Sequence, residues 1–350
     1  MTYHVYITVS GEGRIARFSM DEITGALTPG EDVALSGRPA YTAIDPSGKY
    51  MYVARKENFR ITTFSINTTS GDLTELGTVS IDADPAYIST DATGRWLFSA
   101  SYFNGYVGVH PIEPNGVATN PPVEWLTTGM RAHCIHADPS NRFVFVSHIF
   151  REGAPNAIFQ FRFDAATGAL TPNDPDRCAP KGPDGPRHFR FHPTKNIVYV
   201  SNEQGCSITV YAMDSNAGTL SPLQTISTLP EDWAGESKCS QIRLTPDGKF
   251  LYAPNRGHDT IAEFAIDPDT GLLTAMGRAI AEKNPRAFEI DPAGRFLLSA
   301  GHASGRLAVY SIDENAGGLT RTATHELGDV PMWVTIMEAS KPLQAHAFSE

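Results

Sequence analysis

The sequence predicts an all-β fold, a seven-bladed β-propeller with four antiparallel strands per blade. Three observations carry that prediction. A hydrophobic block recurs at a near-constant period along the 350 residues. Each block holds two apolar runs, rich in β-branched and aromatic residues, around a polar turn, which reads as a β-hairpin. No long stretch shows helical periodicity, so helical repeat arrays are excluded. A repeat of this length built from strands marks a propeller blade.

The blocks read AYTAIDPSGKYMYVA (40–54), AYISTDATGRWLFSA (86–100), HCIHADPSNRFVFVS (133–147), RHFRFHPTKNIVYVS (187–201), SQIRLTPDGKFLYAP (240–254) and RAFEIDPAGRFLLSA (286–300). A half-copy, MWVTIMEA, closes the series at 332–339. The first residues are Ala40, Ala86, His133, Arg187, Ser240, Arg286 and Met332, at steps of 46, 47, 54, 53, 46 and 46. A second strand pair follows each block, as in FRITTFSI (59–66), ITVYAM (208–213) and LAVYSI (307–312). It encloses a turn of its own, such as DEITGAL (21–27), DAATGAL (164–170) or DPDTGLL (267–273). Glycine there takes the positive φ that a tight hairpin needs, and the leading Asp accepts hydrogen bonds from the turn backbone. The third unit keeps a degraded copy, EPNGVA (113–118).

The first blade is split. Residues 3–30 supply three strands and 331–339 supply the missing innermost one. Closing the ring with both ends removes the open edges that an open solenoid would expose. One propeller therefore uses residues 1–350 as a single domain.

Net charge is −11 with no Lys/Arg run, which argues against nucleic acid and anionic membranes as partners. MTYHVYITVS enters a strand at once, with no basic and then apolar leader, and no apolar run reaches membrane-spanning length. Cys134, Cys178, Cys206 and Cys239 lack CxxC spacing and read as reduced thiols of a cytoplasmic protein; a zinc site is the weaker alternative. Nothing in the sequence specifies an oligomeric state.

The strand order sends the turns inside each hairpin to one face and the remaining connections to the other. The first face is monotonous. The second carries the long segments 150–157, 171–185 and 224–240, and irregular loops on one face of a regular scaffold are where sites are built. His133, Arg187 and Arg286 start inner strands beside that face, where the repeat needs no charge. Sixteen residues after each strand start come Lys56, Tyr102, Ile149, Glu203, Arg256 and His302, at the return to the same face. The ring gathers one carboxylate among several cations. His and Glu move protons when burial and neighbours tune them, and arginines bind carboxylate or phosphate and stabilise an oxyanion. G-x-S-x-G, HExxH and P-loop signatures are missing. The implied substrate is a small anion, and the implied reaction is proton transfer at a carbonyl or acyl centre without metal or cofactor. His136, His188 and His192 read as structural, and Phe189, Phe191 and Phe288 as core between blades.

With G-P-R-H-F-R-F-H-P (185–193), V-Y-V-S-N-E (198–203), N-P-R-A-F-E-I-D (284–291), T-P-D-G-K-F-L-Y-A-P-N-R (245–256) and G-D-V-P-M-W-V (328–334), the chain resembles the seven-bladed 6-phosphogluconolactonases, which are grouped with fungal 3-carboxy-cis,cis-muconate lactonizing enzymes. The resemblance implies a site at the channel mouth, with His133, Glu203, Arg187 and Arg286 as catalytic residues. Lys56, Tyr102, Arg256 and His302 are expected to bind substrate. The expected activity is hydrolysis of a sugar-acid lactone, with 6-phosphoglucono-1,5-lactone leading. Glu203 or His133 would activate water and the other would protonate the leaving alkoxide. Carboxymuconate cycloisomerisation and a non-catalytic interaction platform are the alternatives.

Overall fold

The computed structural model describes residues 2–340, and every regular element among them is a β-strand. The strands form seven antiparallel sheets whose innermost strands ring a central channel. The closing blade is built from both ends of the chain. Pro331–Glu338 lies innermost and pairs with Thr2–Val9, with Val5 opposite Ile336 and Ile7 opposite Val334. Arg14–Asp21 follows, and the outer edge is divided into Leu27–Pro29 and Val33–Ala34.

The innermost strand starts in the same way in most blades. A proline pairs with the neighbouring strand, the next residue is left over, and pairing resumes after it. Pro186 faces Asn202 and His188 faces Ser201, so Arg187 is the extra residue. His133, Arg286, Ala86 and Met332 occupy the same bulge. Two positions before several of these bulges stands a left-handed residue, at Arg131, Gly185, Asn284 and Val330. A bulge re-aims the side chain at its extra residue and is common beside active sites. Here it makes consecutive residues face the channel.

Three layers result along the channel. The bulge residues line the loop-face mouth. The next residues, Tyr41, Tyr87, His188 and Trp333, meet across the axis with ring centroids 5.2–6.0 Å apart and plug it. Two residues further on, a second polar layer opens on the turn face.

The blades are joined by repeated tyrosines. Tyr6, Tyr52, Tyr199 and Tyr252 donate to the carbonyls of Gly71, Gly116, Gly271 and Gly317 in the outer-pair turn of the next blade, at 2.8, 2.9, 2.8 and 2.7 Å. Those glycines have φ of 70–86°. In the inner-pair turns Asp45, Asp91, Asp138 and Asp291 accept several backbone N–H bonds. His192 takes this role in its blade, its Nδ1 accepting from Thr194 and Lys195 at 3.1 Å, which is structural as expected. Phe189 and Phe288 are fully buried, and Phe191 packs against the core at partial exposure.

The structure corrects the bounds of two connections. Residues 171–178 belong to the outer strand Ala169–Cys178 and 224–227 to Thr219–Ser227, so the true connections are 179–185 and 228–237. Pro172, Pro175 and Pro222 lie within these outer strands, because an outermost strand leaves one side unpaired and tolerates proline there. The third blade's outer strand is Glu124–Thr127, well beyond its degraded turn. The inner strand of the block at 240–254 is divided into Lys238–Cys239 and Arg243–Leu244.

Candidate active site

All eight residues singled out from the sequence meet at the loop-face mouth, in two adjoining depressions. The deeper, of about 270 Å³, is lined by His133, Arg187, Glu203, Arg256, Arg286, Lys56 and Tyr102. The wider, of about 560 Å³, shares Lys56 and Arg286 and adds His302 and Arg38.

The centre of the deeper depression is a buried Arg–Glu–Arg triad. Glu203 Oε2 accepts from Arg187 Nε at 2.7 Å and lies 2.9 Å from an Arg256 Nη. Glu203 is fixed at the end of its strand, its N–H donating to the Gly185 carbonyl at 2.7 Å. Burial acts to raise the Glu203 pKa, but Arg187 and Arg256 outweigh it and hold the carboxyl below its ordinary value. Arg187 is 2% exposed, and burial followed by repulsion from Arg256 pulls it down to about 10, so it is charged at neutral pH. Arg187 Nη1 and Arg256 Nε are buried without a hydrogen-bond partner.

Burial, then the positive fields of Arg187, Arg286 and Arg256, holds the His133 pKa well below its ordinary value, so the imidazole is neutral. Its Nδ1 also lacks a partner. Tyr102 stands edge-on to this ring at 6.0 Å and carries the Arg131 guanidinium over its face at 4.5 Å. In the wider depression, burial and then Arg286 and Arg256 lower the His302 pKa.

Tyr41 was not among the expected residues. It is buried, lines the deeper depression and accepts from an Arg286 Nη at 3.4 Å. Burial alone would raise its pKa. Arg286, Lys56 and Arg187 outweigh that and bring the phenol down to about 8. A signal existed in the sequence, because Tyr41 follows the strand start Ala40 as His188 follows Arg187.

Four cations therefore face one carboxylate in a chain whose net charge is −11. The arrangement attracts a small anion, offers unpaired N–H donors to developing negative charge, and places a neutral imidazole and an acidified phenol nearby. Among the described residues no group of three His, Cys, Asp or Glu side chains is arranged to hold a metal ion.

A family model described as "Lactonase, 7-bladed beta-propeller" matches residues 4–336. The chain is 34% identical over 334 residues to a 6-phosphogluconolactonase of Pectobacterium carotovorum, covering 95% of this chain and 85% of that one. It is 31% identical over 339 residues to the 6-phosphogluconolactonase of Yersinia pestis, covering 97% and 99%. Among solved structures, the periplasmic gluconolactonase of Pseudomonas aeruginosa superimposes with a TM-score of 0.89 at 26% identity, covering 97% of this chain and all of that one. A putative 6-phosphogluconolactonase from Bacteroides uniformis gives 0.86 at 26% identity, covering 96% and 99%.

Proposed function

The chain belongs to the seven-bladed β-propeller lactonases and hydrolyses a lactone, and from that premise we propose that its substrate is 6-phosphoglucono-1,5-lactone, opened to 6-phosphogluconate at the loop-face mouth. The observation that carries this reading is the excess of cations around one carboxylate, with buried guanidinium N–H groups left unpaired. The deeper depression takes the lactone ring. The phosphate reaches the wider one, towards Lys56, Arg38 and His302.

Water adds to the lactone carbonyl carbon and His133 takes the proton that water loses. The phosphate's negative charge offsets the arginines and strengthens His133 as a base at that moment. Arg187 and Arg286 face the oxyanion. When the ring C–O bond breaks, the Tyr41 hydroxyl protonates the leaving alkoxide and is reprotonated through solvent from His133. The net change is addition of one water. Glu203 is a positioning residue here, because its Oε2 is engaged by Arg187 at 2.7 Å and by Arg256 at 2.9 Å.

The single domain spans residues 1–350 in this reading, supported by ring closure; residues 1 and 341–350 lie outside the described residues. Free thiols at the four cysteines fit a cytoplasmic enzyme acting on a phosphorylated sugar acid. The carboxymuconate and platform alternatives find no support in the comparisons. A second reading, an unphosphorylated aldonolactone, is favoured by the likeness to the periplasmic gluconolactonase.

Hydrolysis of 6-phosphoglucono-1,5-lactone and glucono-1,5-lactone in a pH-stat separates the two. The phosphorylated lactone should be preferred by at least about tenfold in kcat/KM, and Lys56→Met should erase most of that preference. Equal rates in the wild type with no response to Lys56→Met would favour the unphosphorylated substrate.

A further inference from the structure

The channel has a second mouth. On the turn face, beyond the aromatic plug, a depression of about 350 Å³ is lined by the residue that stands three places after each strand start. Three blades supply Ala43, Ser89 and Thr335 there, so the scaffold is content with small neutral side chains. The other four supply His136, Arg190, Arg243 and Glu289. Two arginines at a repeat position that needs none is the pattern that marked the first mouth.

These charges do not cancel. Arg243 Nε donates to Glu289 Oε1 at 2.6 Å, and the guanidinium lies over Trp333 with its carbon 5.6 Å from the ring centroid. Arg190 has no carboxylate within 4.0 Å among the described residues. Its Nη1 meets His136 Nε2 at 3.1 Å and its own Phe189 carbonyl at 2.8 Å, and both Nη atoms lie 3.5 Å from the Tyr87 hydroxyl. His136 brings no compensating charge, since burial and then the two arginines keep it neutral. Arg190 Nε and an Nη of Arg243 have no hydrogen-bond partner among the described residues and are not sealed from solvent. One cation in excess, with free N–H groups from neighbouring blades, faces an open cavity large enough for a small molecule.

We propose that this turn-face mouth is a second binding site, which takes a small oxyanion, phosphate or carboxylate, between Arg190 and Arg243. Paired N–H donors on planar guanidinium groups match both anions. The plug of Tyr41, Tyr87, His188 and Trp333 separates this site from the lactone site, so an anion bound here does not occupy the reaction centre.

Isothermal titration of the full-length chain with inorganic phosphate at low ionic strength tests this. Two sites per chain are expected. Arg190→Gln should weaken one by at least about tenfold, and Arg286→Gln should weaken the other. Ala43→Glu removes no packing atom and places a carboxylate in the turn-face cavity, so it should abolish the same site as Arg190→Gln. Both turn-face variants should keep lactone hydrolysis within about twofold of wild type. Malonate titrated in place of phosphate defines the ligand: binding by both establishes a general oxyanion site, and binding by phosphate alone a phosphate site. A single phosphate per chain, lost in Arg286→Gln and unchanged in Arg190→Gln and Ala43→Glu, would overturn the proposal. Because lactone turnover is not the readout for the second site, this result stands apart from the fate of the substrate assignment.

Discussion

The seams between blades and the loop-face mouth both bury tyrosine, and they treat it in opposite ways. Tyr6, Tyr52, Tyr199 and Tyr252 sit in the seams, each donating to a turn carbonyl, and burial raises their pKa values. Tyr41 sits at the mouth among cations, and its pKa falls to about 8. The same contrast holds for other polar groups. The four seam tyrosine hydroxyls have partners inside the fold, whereas His133 Nδ1, Arg187 Nη1 and Arg256 Nε at the mouth are buried without one. A buried donor left unpaired costs about 1–3 kcal/mol, so the fold gains nothing by keeping them there. At the mouth these groups sit around a cation-rich depression whose lining suits an anion.

The sharpest test of the seam half is removal of the closing strand. A chain ending at Val330 loses Pro331–Glu338 and with it a complete ladder and two covered edges. Cooperative unfolding followed by circular dichroism should disappear; a melt like that of the full chain would refute closure through both ends.

Acid comes next in size. His110, His133, His148 and His188 are buried and His136 is half-buried, and burial is the largest cause of their lowered pKa values, to about 4 for His110 and about 3 for His148. Each stays neutral in the fold and binds a proton in the unfolded chain below its ordinary value of 6.5. Stability therefore falls as pH drops below 6.5, by up to about 1.4 kcal/mol per unit for each histidine. Denaturant unfolding at pH 7 and pH 5.5 should differ by several kcal/mol, and equal values would mean that these rings are solvated.

The mouth should answer to alkali instead. As a proton donor Tyr41 works while protonated, so kcat/KM should decline as pH rises through about 8, and Tyr41→Phe should abolish that limb. A limb that survives the substitution would assign the titration to another group. A smaller change follows for Arg187→Lys, which keeps the charge but loses the planar fork. It should raise KM by about tenfold with little effect on Tm, and the opposite pattern would make Arg187 structural.

Much of this molecule is legible in its sequence because each blade repeats the same local chemistry. The Asp-led turns and the alternating apolar runs define the strands without tertiary information. The mouth is legible for the same reason: the bulge falls at the same place in blade after blade, so counting from the strand start aligns His133, Arg187 and Arg286. Tyr41 escapes that count because it stands one place after the bulge, in the aromatic layer, while its acidity comes from Arg286, Lys56 and Arg187. The outer strands run past 171 and 224, where the sequence reads as connection, because pairing at the edge is a property of the assembled sheet. Glu203 was visible as the one carboxylate among cations, but its clamping by two arginines was not.

One paired measurement tests the division between seam and mouth most directly: kcat for lactone hydrolysis and Tm, both determined for Tyr41→Phe and Tyr52→Phe. Tyr41→Phe should lower kcat by about 10²–10⁴-fold and leave Tm nearly unchanged. Tyr52→Phe should leave kcat unchanged and destabilise the fold by about 1–3 kcal/mol, because the Gly116 carbonyl loses its donor. If Tyr41→Phe keeps full turnover and lowers Tm instead, the mouth tyrosine is one more structural tyrosine and the proposed chemistry is wrong.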